Sequence, residues 1–185
     1  FEPCAGAACA AEEIANGKDF LDGGGGGSKG TDISGVTARD GVVHWGVDRM
    51  PGGYIARTQA NGITAKETTT MVPRRLADDG DTVYWSSVYS SCLGFWLGTG
   101  KPSTMGTCTA TDSDRSPGIA LDAAHVYWTV SLLSTCAAIP GCCGPGGTSC
   151  LVGAAKKGAA STVIAGERGT ISDVVRVGEE LFFAA

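Results

Sequence analysis

Hydrophobic positions along the chain come in short runs parted by Gly, Asp and Ser. The clearest unit runs from Pro117 to Thr129, PGIALDAAHVYWT. Ile119-Ala120-Leu121 is a short apolar run of the kind that is buried on both faces. Ala123-Ala124 makes a tight connection. His125 to Val130 is aromatic and β-branched, which suits a pleated, half-buried surface. Beyond a loop, Cys150 to Lys156 predicts a third strand. Lys157-Gly158 turns the chain, and Ser161 to Ala165 predicts a fourth. The signals in this unit are all β, with Gly-rich turns between the strands.

The unit recurs. Val126-Tyr127-Trp128-Thr129 matches Val83-Tyr84-Trp85-Ser86 and Val43-His44-Trp45-Gly46, and more loosely Leu181-Phe182-Phe183-Ala184. The anchors Trp45, Trp85, Trp128 and Phe183 are spaced by 40, 43 and 55 residues. An acid lies five or six positions upstream in the first three copies (Asp40, Asp79, Asp122), with Ala38, Ala77 and Ala120 two residues further back. The fourth copy has Val177 and Val175 in those columns. A repeat of about forty residues signals one supersecondary unit used several times, each needing its neighbours to bury its faces. Predicted strands of the first copy are Ile33 to Ala38, Val42 to Val47, Tyr54 to Thr58 and Glu67 to Val72, with Asn61-Gly62 as a hairpin turn. The second copy adds Cys92 to Leu97 and Thr104 to Ala110 as outer strands.

The pattern P-x-G-I-A-x-D-x-x-x-V-Y-W-T, followed by a short strand, a Gly turn and a T-V-I-A-G strand, resembles the repeat of secreted bacterial β-propellers of the YWTD, NHL and TolB-like kind. The resemblance covers about residues 31 to 185 and is clearest at 117–166. It implies an all-β fold of four-stranded antiparallel blades around a central channel. Blades fall at about 31–72, 73–111 and 117–166, with a partial one at 170–185. They belong either to a closed four-bladed ring or to part of a six-bladed one. The Gly-His and Trp-Asp pairing of the WD40 version is lacking. Such a fold hosts binding proteins, scaffolds and several enzymes, so it implies little about the ligand.

Residues 1–30 stand apart. Ala5 to Ala15 is Ala- and Glu-rich, and reads as a helical turn or two. Glu13 to Gly17 also resembles Val163 to Gly166, which would make it the last strand of a preceding blade. Gly23 to Gly27, then Ser28, Lys29 and Gly30, reads as a flexible surface loop and not as a phosphate loop, because no strand-to-helix context surrounds it. A chain beginning Phe1-Glu2-Pro3 reads as processed or partial.

Charge narrows the partners. The net charge of −5 offers no basic face for nucleic acid. No run approaches the roughly 18 apolar residues of a membrane span. The eight cysteines fall in even-numbered clusters: Cys4 with Cys9; Cys92 with Cys108; and Cys136, Cys142, Cys143 and Cys150. All eight are disulfide candidates, stapling long loops in an oxidising compartment, and so place the protein outside the cell, in a periplasm or at the cell surface. The last cluster allows three pairings, a vicinal Cys142–Cys143 bond among them.

Candidate chemistry is thin. His44 occupies the column of Tyr84 and Tyr127 and reads as a variant structural aromatic; His125 reads as a turn or edge residue. Asp78, Asp79 and Asp81 read as a solvated turn. Asp112-Ser113-Asp114 could offer oxygens to calcium but lacks the alternation and closing Glu of a calcium loop. The cysteines lack the paired spacing of a zinc site. Inner-strand candidates are small or apolar apart from Arg74, Arg75 and Asp173, which with Arg39 could face a channel or form ion pairs. The enlarged segments 88–108 and 131–149 remain. Long loops on a rigid scaffold are where binding concentrates. Tyr89, Phe95 and Trp96 are the contact candidates, since Phe95 and Trp96 cannot share one face of a strand. The expected function is a non-enzymatic binding or assembly module, with no cofactor. Its partner would be a protein, a glycan, further copies of the chain or the rest of a larger propeller. The alternative is a metal-dependent propeller hydrolase or lyase with its site in the channel.

Overall fold

Successive side chains of a strand point to opposite faces, so each adjacent aromatic pair serves two neighbours at once. That rule organises the molecule. The computed structural model describes residues 32–49, 52–59, 62–87, 90–106, 108, 118–131, 142, 149–156, 160–167 and 171–184. The first sheet is built from β1 (Asp32–Arg39), β2 (Val42–Arg49), β3 (Gly52–Gln59) and β4 (Gly62–Thr69). The second comprises β5 (Arg75–Asp78), β6 (Val83–Ser87), β7 (Ser90–Trp96) and β8 (Ser103–Met105). In the third are β9 (Ile119–Leu121), β10 (His125–Ser131), β11 (Ser149–Ala155) and β12 (Ser161–Glu167). A hairpin of β13 (Asp173–Val177) and β14 (Glu180–Ala184) follows. All pairings are antiparallel and run in chain order, and the described residues contain no helix.

Successive sheets touch through their first strands, β1 against β5, β5 against β9 and β9 against β13. The cores lie between sheets. Ile55 of the first packs with Val83, Trp85 and Trp96 of the second. Tyr84, Leu93 and Met105 pack with Val126, Trp128, Val130 and Val152 of the third. Ala120 and Leu151 pack with Ile171 and Val174 at the last hairpin. The Trp column thus faces back to the preceding sheet, and the Tyr column forward to the next. Trp128 also donates its indole N–H to the Ser91 carbonyl of the sheet behind, at 2.9 Å.

The acid column has a conformational reason. In the second and third sheets four residues lie between the last paired positions of the first two strands, since Asp78 pairs with Val83 and Leu121 with Val126. Asp79 Oδ1 accepts the N–H groups of Asp81 and Thr82, at 3.2 and 2.8 Å. Asp122 Oδ1 accepts those of Ala124 and His125, both at 2.6 Å. A carboxylate bonding to backbone two and three residues on closes such a turn. The first sheet uses a shorter connection. Arg39 pairs with Val42, and Asp40 and Gly41 have φ of 48° and 75°, as a two-residue hairpin of the Asp-Gly kind requires. Asp40 is therefore a turn residue with its side chain in solvent.

Two strands differ from expectation. β4 starts at Gly62 and ends at Thr69, with Gln59 paired to Gly62, so Gly62 belongs to the strand and not to the expected Asn61-Gly62 turn. A one-residue slip exchanges the faces of a strand. β8 stops at Met105, where Gly106 takes a φ of 82° outside the strand region. The expected loop 88–108 thus includes β7, β8 and all of their pairing.

Candidate functional site

Between β4 of the first sheet and β8 of the second lies a cavity of about 380 Å³. Its walls come from residues 67–71 at the end of β4, from 101–104 leading into β8, and from Trp85. The volume is at the lower end for small-molecule sites. A disulfide braces the second sheet's wall. The Cys92–Cys108 disulfide ties β7 to the segment just past β8. Cys92 Sγ also lies 3.3 Å from Met71 Sδ, so the staple packs against the first sheet's wall. Thr69 Oγ1 donates to the Met71 carbonyl at 2.6 Å, shaping the turn out of β4.

Trp85 is the unusual member. All four tryptophans are among the described residues. Trp45 donates its indole N–H to Thr58 Oγ1 at 2.7 Å, Trp96 to the Gly100 carbonyl at 2.9 Å, and Trp128 to Ser91. Trp85 is 1% exposed and its Nε1 has no partner. A buried donor left unmade costs about 1–3 kcal/mol. The register explains where it lies. Trp85 pairs with Gly94, and Gly94 with Thr104. A Cβ on Gly94 would sit 2.3 Å from Trp85 Nε1 and 2.1 Å from Cε2, so the indole lies flat across β7 only because Gly94 has no side chain. The next position in that row is Thr104, on the cavity wall. The same row in the other sheets carries Ala56 beside Trp45 and Val152 beside Trp128.

The rim is polar and balanced. Glu67 stands on one wall and Lys101 on the other, with the hydroxyl residues Thr68, Thr70, Ser103 and Thr104 between them. Met71 and Pro102 supply apolar surface.

The other ionisable groups link sheets. His44 is 5% exposed, and its Nδ1 lies 2.5 Å from Asp78 Oδ2. Burial holds its pKa below the ordinary value, outweighing the pull of Asp78. The imidazole is then neutral, with Nδ1–H donating to Asp78. Asp79 receives Lys156 of the third sheet at 3.0 Å. Burial opposes the Asp79 charge, but Lys156 and the turn N–H groups outweigh it and keep its pKa low. Burial and the Asp79 charge push Tyr84 up to about 12. Tyr127 donates to Asp122 Oδ2 at 2.6 Å. Despite burial, that bond and the two turn N–H groups hold Asp122 far below the usual carboxylate range. The Asp78–Asp81 turn is therefore not a solvated one: its first two carboxylates carry contacts between sheets, and only Asp81 is exposed.

The residues singled out as contacts divide. Trp96 is buried, 2% exposed, and faces the first sheet beside His44. Phe95 is half-buried on the opposite face, near Tyr84. Tyr89 lies outside the described residues, as do Asp112 to Asp114, Cys4, Cys9, Cys136, Cys143 and the Gly-rich segment. Cys142 bonds to Cys150, which leaves no vicinal Cys142–Cys143 bond. Arg75 and Asp173 come within 3.7 Å, so the first strands of the second sheet and the last hairpin meet across β9. Arg74 pairs with Asp48 at 2.7 Å, and Arg39 with Asp40 at 3.5 Å. Among the described residues, no three His, Cys, Asp or Glu side chains gather where they could hold a metal ion. No described helix is long and apolar enough to cross a membrane. Sequence reasoning missed the cavity. Its one signal was Gly94 opposite Trp85, visible only once the register is known.

No protein-family model matches the chain, and no curated protein does. Solved structures do. The crystal structure of the computationally designed Ika4 protein aligns with a TM-score of 0.60 at 11% identity, over 95% of this chain and 93% of that one. A chain from the crystal structure of a nidogen/laminin complex aligns with a TM-score of 0.50 at 18% identity, over 78% of this chain and 52% of that one. At such identities the likeness is one of fold alone.

Proposed function

We propose that the protein is a secreted, disulfide-stapled β-propeller module that binds a ligand without transforming it, in the cavity between the outer strands of its first two blades. Consecutive four-stranded meanders touching through their first strands support the propeller reading, and the nidogen/laminin likeness is consistent with it. The disulfides Cys92–Cys108 and Cys142–Cys150 support an oxidising compartment. The observation that carries the binding role is a polar-rimmed, stapled cavity backed by Trp85, a buried tryptophan whose indole N–H has no partner. A rigid cavity lowers the ordering cost of binding. The alternative, a metal-dependent hydrolase or lyase, calls for carboxylates converging near the inner strands, where Asp173 pairs with Arg75 and Asp78 with His44. On the same reading, the exposed strip of Val175, Val177 and Phe182 is the face on which a further sheet, from this protein or another copy, would pack.

The test is a fragment screen read by the four indole N–H resonances in a proton–nitrogen correlation spectrum. Hits that move the Trp85 resonance before the other three are expected. If every hit leaves Trp85 unmoved, the cavity is not the binding site.

A further inference from the structure

The cavity rim specifies more than a ligand in general. Glu67 and Lys101 carry opposite charges on facing walls. An anion gains Lys101 but meets Glu67, and a cation the reverse, so neither sign of net charge is favoured. Between them stand hydroxyls that donate and accept equally well. Behind the rim, buried in the wall, the Trp85 indole N–H lacks an acceptor. Met71, Pro102 and the threonine methyls supply apolar patches. The complementary molecule is neutral, carries several hydroxyls that both donate and accept, and has small apolar C–H faces between them. Those are the properties of a saccharide.

Building on the binding role proposed above, we infer that the cavity is a subsite for a short neutral saccharide seated against the Trp85 wall, held by the rim hydroxyls, Glu67 and Lys101. Glu67 takes a hydroxyl proton from one side, and Lys101 donates to an oxygen from the other. The Thr104 hydroxyl stands next to the indole edge in the cross-strand row and contacts the same sugar unit. Gly94 is the enabling residue, because any side chain there would lift the indole off β7 and away from that row. The size of the cavity limits the occupant to a short saccharide or the end of a longer chain.

The experiment titrates cellobiose, maltotriose, lactose and N,N′-diacetylchitobiose, then citrate and spermidine, into the labelled full chain. The Trp85 indole N–H resonance is the readout. At least one saccharide is expected to move it saturably while citrate and spermidine do not. Glu67→Gln and Lys101→Ala are rim changes that leave the core and the reporting indole intact, and each should weaken saccharide binding severalfold. Movement of the resonance by citrate or spermidine and by no saccharide overturns the sugar assignment and leaves the binding role standing. A resonance that none of these probes and no fragment moves overturns both.

Discussion

Replacing Asp122 by Ala tests the most specific structural statement made of the repeat. The Asp122 carboxylate, 15% exposed, accepts from two turn N–H groups and the Tyr127 hydroxyl. A hydrogen bond to a charged acceptor contributes about 1.5–3 kcal/mol. Three such bonds do not simply add, because Ala124 and His125 are exposed and water replaces the carboxylate at their N–H groups. A loss of about 3 kcal/mol is the expected total, most of it from the half-buried Tyr127 hydroxyl and the lost turn. With a urea m-value of about 2 kcal/mol/M, the unfolding midpoint should fall by about 1.5 M. Asp122→Asn keeps one acceptor for the turn and should lose about half as much. Asp40→Asn is the control. It occupies the same repeat column, but its side chain is 88% exposed and its φ of 48° is one that Asn tolerates, so the midpoint should barely move. The sign with pH follows from the low folded pKa of Asp122. Its contribution is complete above the unfolded value near 3.9 and is lost as pH falls below that toward the folded value. Asp122→Asn should therefore flatten the acid limb of the stability curve. Equal midpoint shifts for Asp122→Ala and Asp40→Asn, or a shift for Asp122→Ala below about 0.5 M, would refute the reasoning.

Two more outcomes follow from other parts of the molecule. His44 has a folded pKa below its unfolded value, so its contribution is full above about 6.5 and declines as pH falls below it; thermal midpoints should drop between pH 7.5 and 5.5, and His44→Gln should remove that component while Asp78 keeps a donor. The Cys92–Cys108 bond, with a sequence separation of 16, should contribute about 3 kcal/mol by loop closure, so a Cys92→Ser/Cys108→Ser double variant should lower the urea midpoint by about 1.5 M and weaken any ligand of the cavity, whereas an unchanged midpoint would refute the staple.

Much of the architecture was legible in the sequence because the repeat encodes it twice over. The aromatic pair marks the second strand of each sheet, and period-2 alternation then decides which neighbour each ring meets. Trp85 faces back and Tyr84 forward, as Trp128 and Tyr127 do. Four-stranded antiparallel sheets were expected and are observed. Less legible were features that depend on register. The last strand of the first sheet, expected at 67–72, runs from Gly62 to Thr69, because a hairpin pairing cannot be fixed to one residue by Asn-Gly alone. The Asp78–Asp79 pair read as solvated, since nothing local shows that His44 lies thirty-four residues upstream or Lys156 on another sheet.

The columns also show how a repeat frees positions for function. Asp40, Asp79 and Asp122 share a column but have three different fates: a solvent-facing turn, a bridge to Lys156 and a clasp on Tyr127. The Trp column is equally divided. Three of the four indoles in the chain spend their N–H inside the protein, which is the ordinary outcome for a buried donor. Trp85 keeps the burial and gives up the bond. Packing alone does not require that, because a hydroxyl or carbonyl partner serves Trp45 and Trp128 in the same column. The exception stands beside a glycine found in no other Trp row and against a cavity rimmed with hydroxyls and balanced charge. Local departures from a repeated solution mark where a constraint other than folding has acted. That coincidence of an unmade bond, an absent side chain and a polar cavity is why the second sheet, and not the better-matched third, is the one to probe.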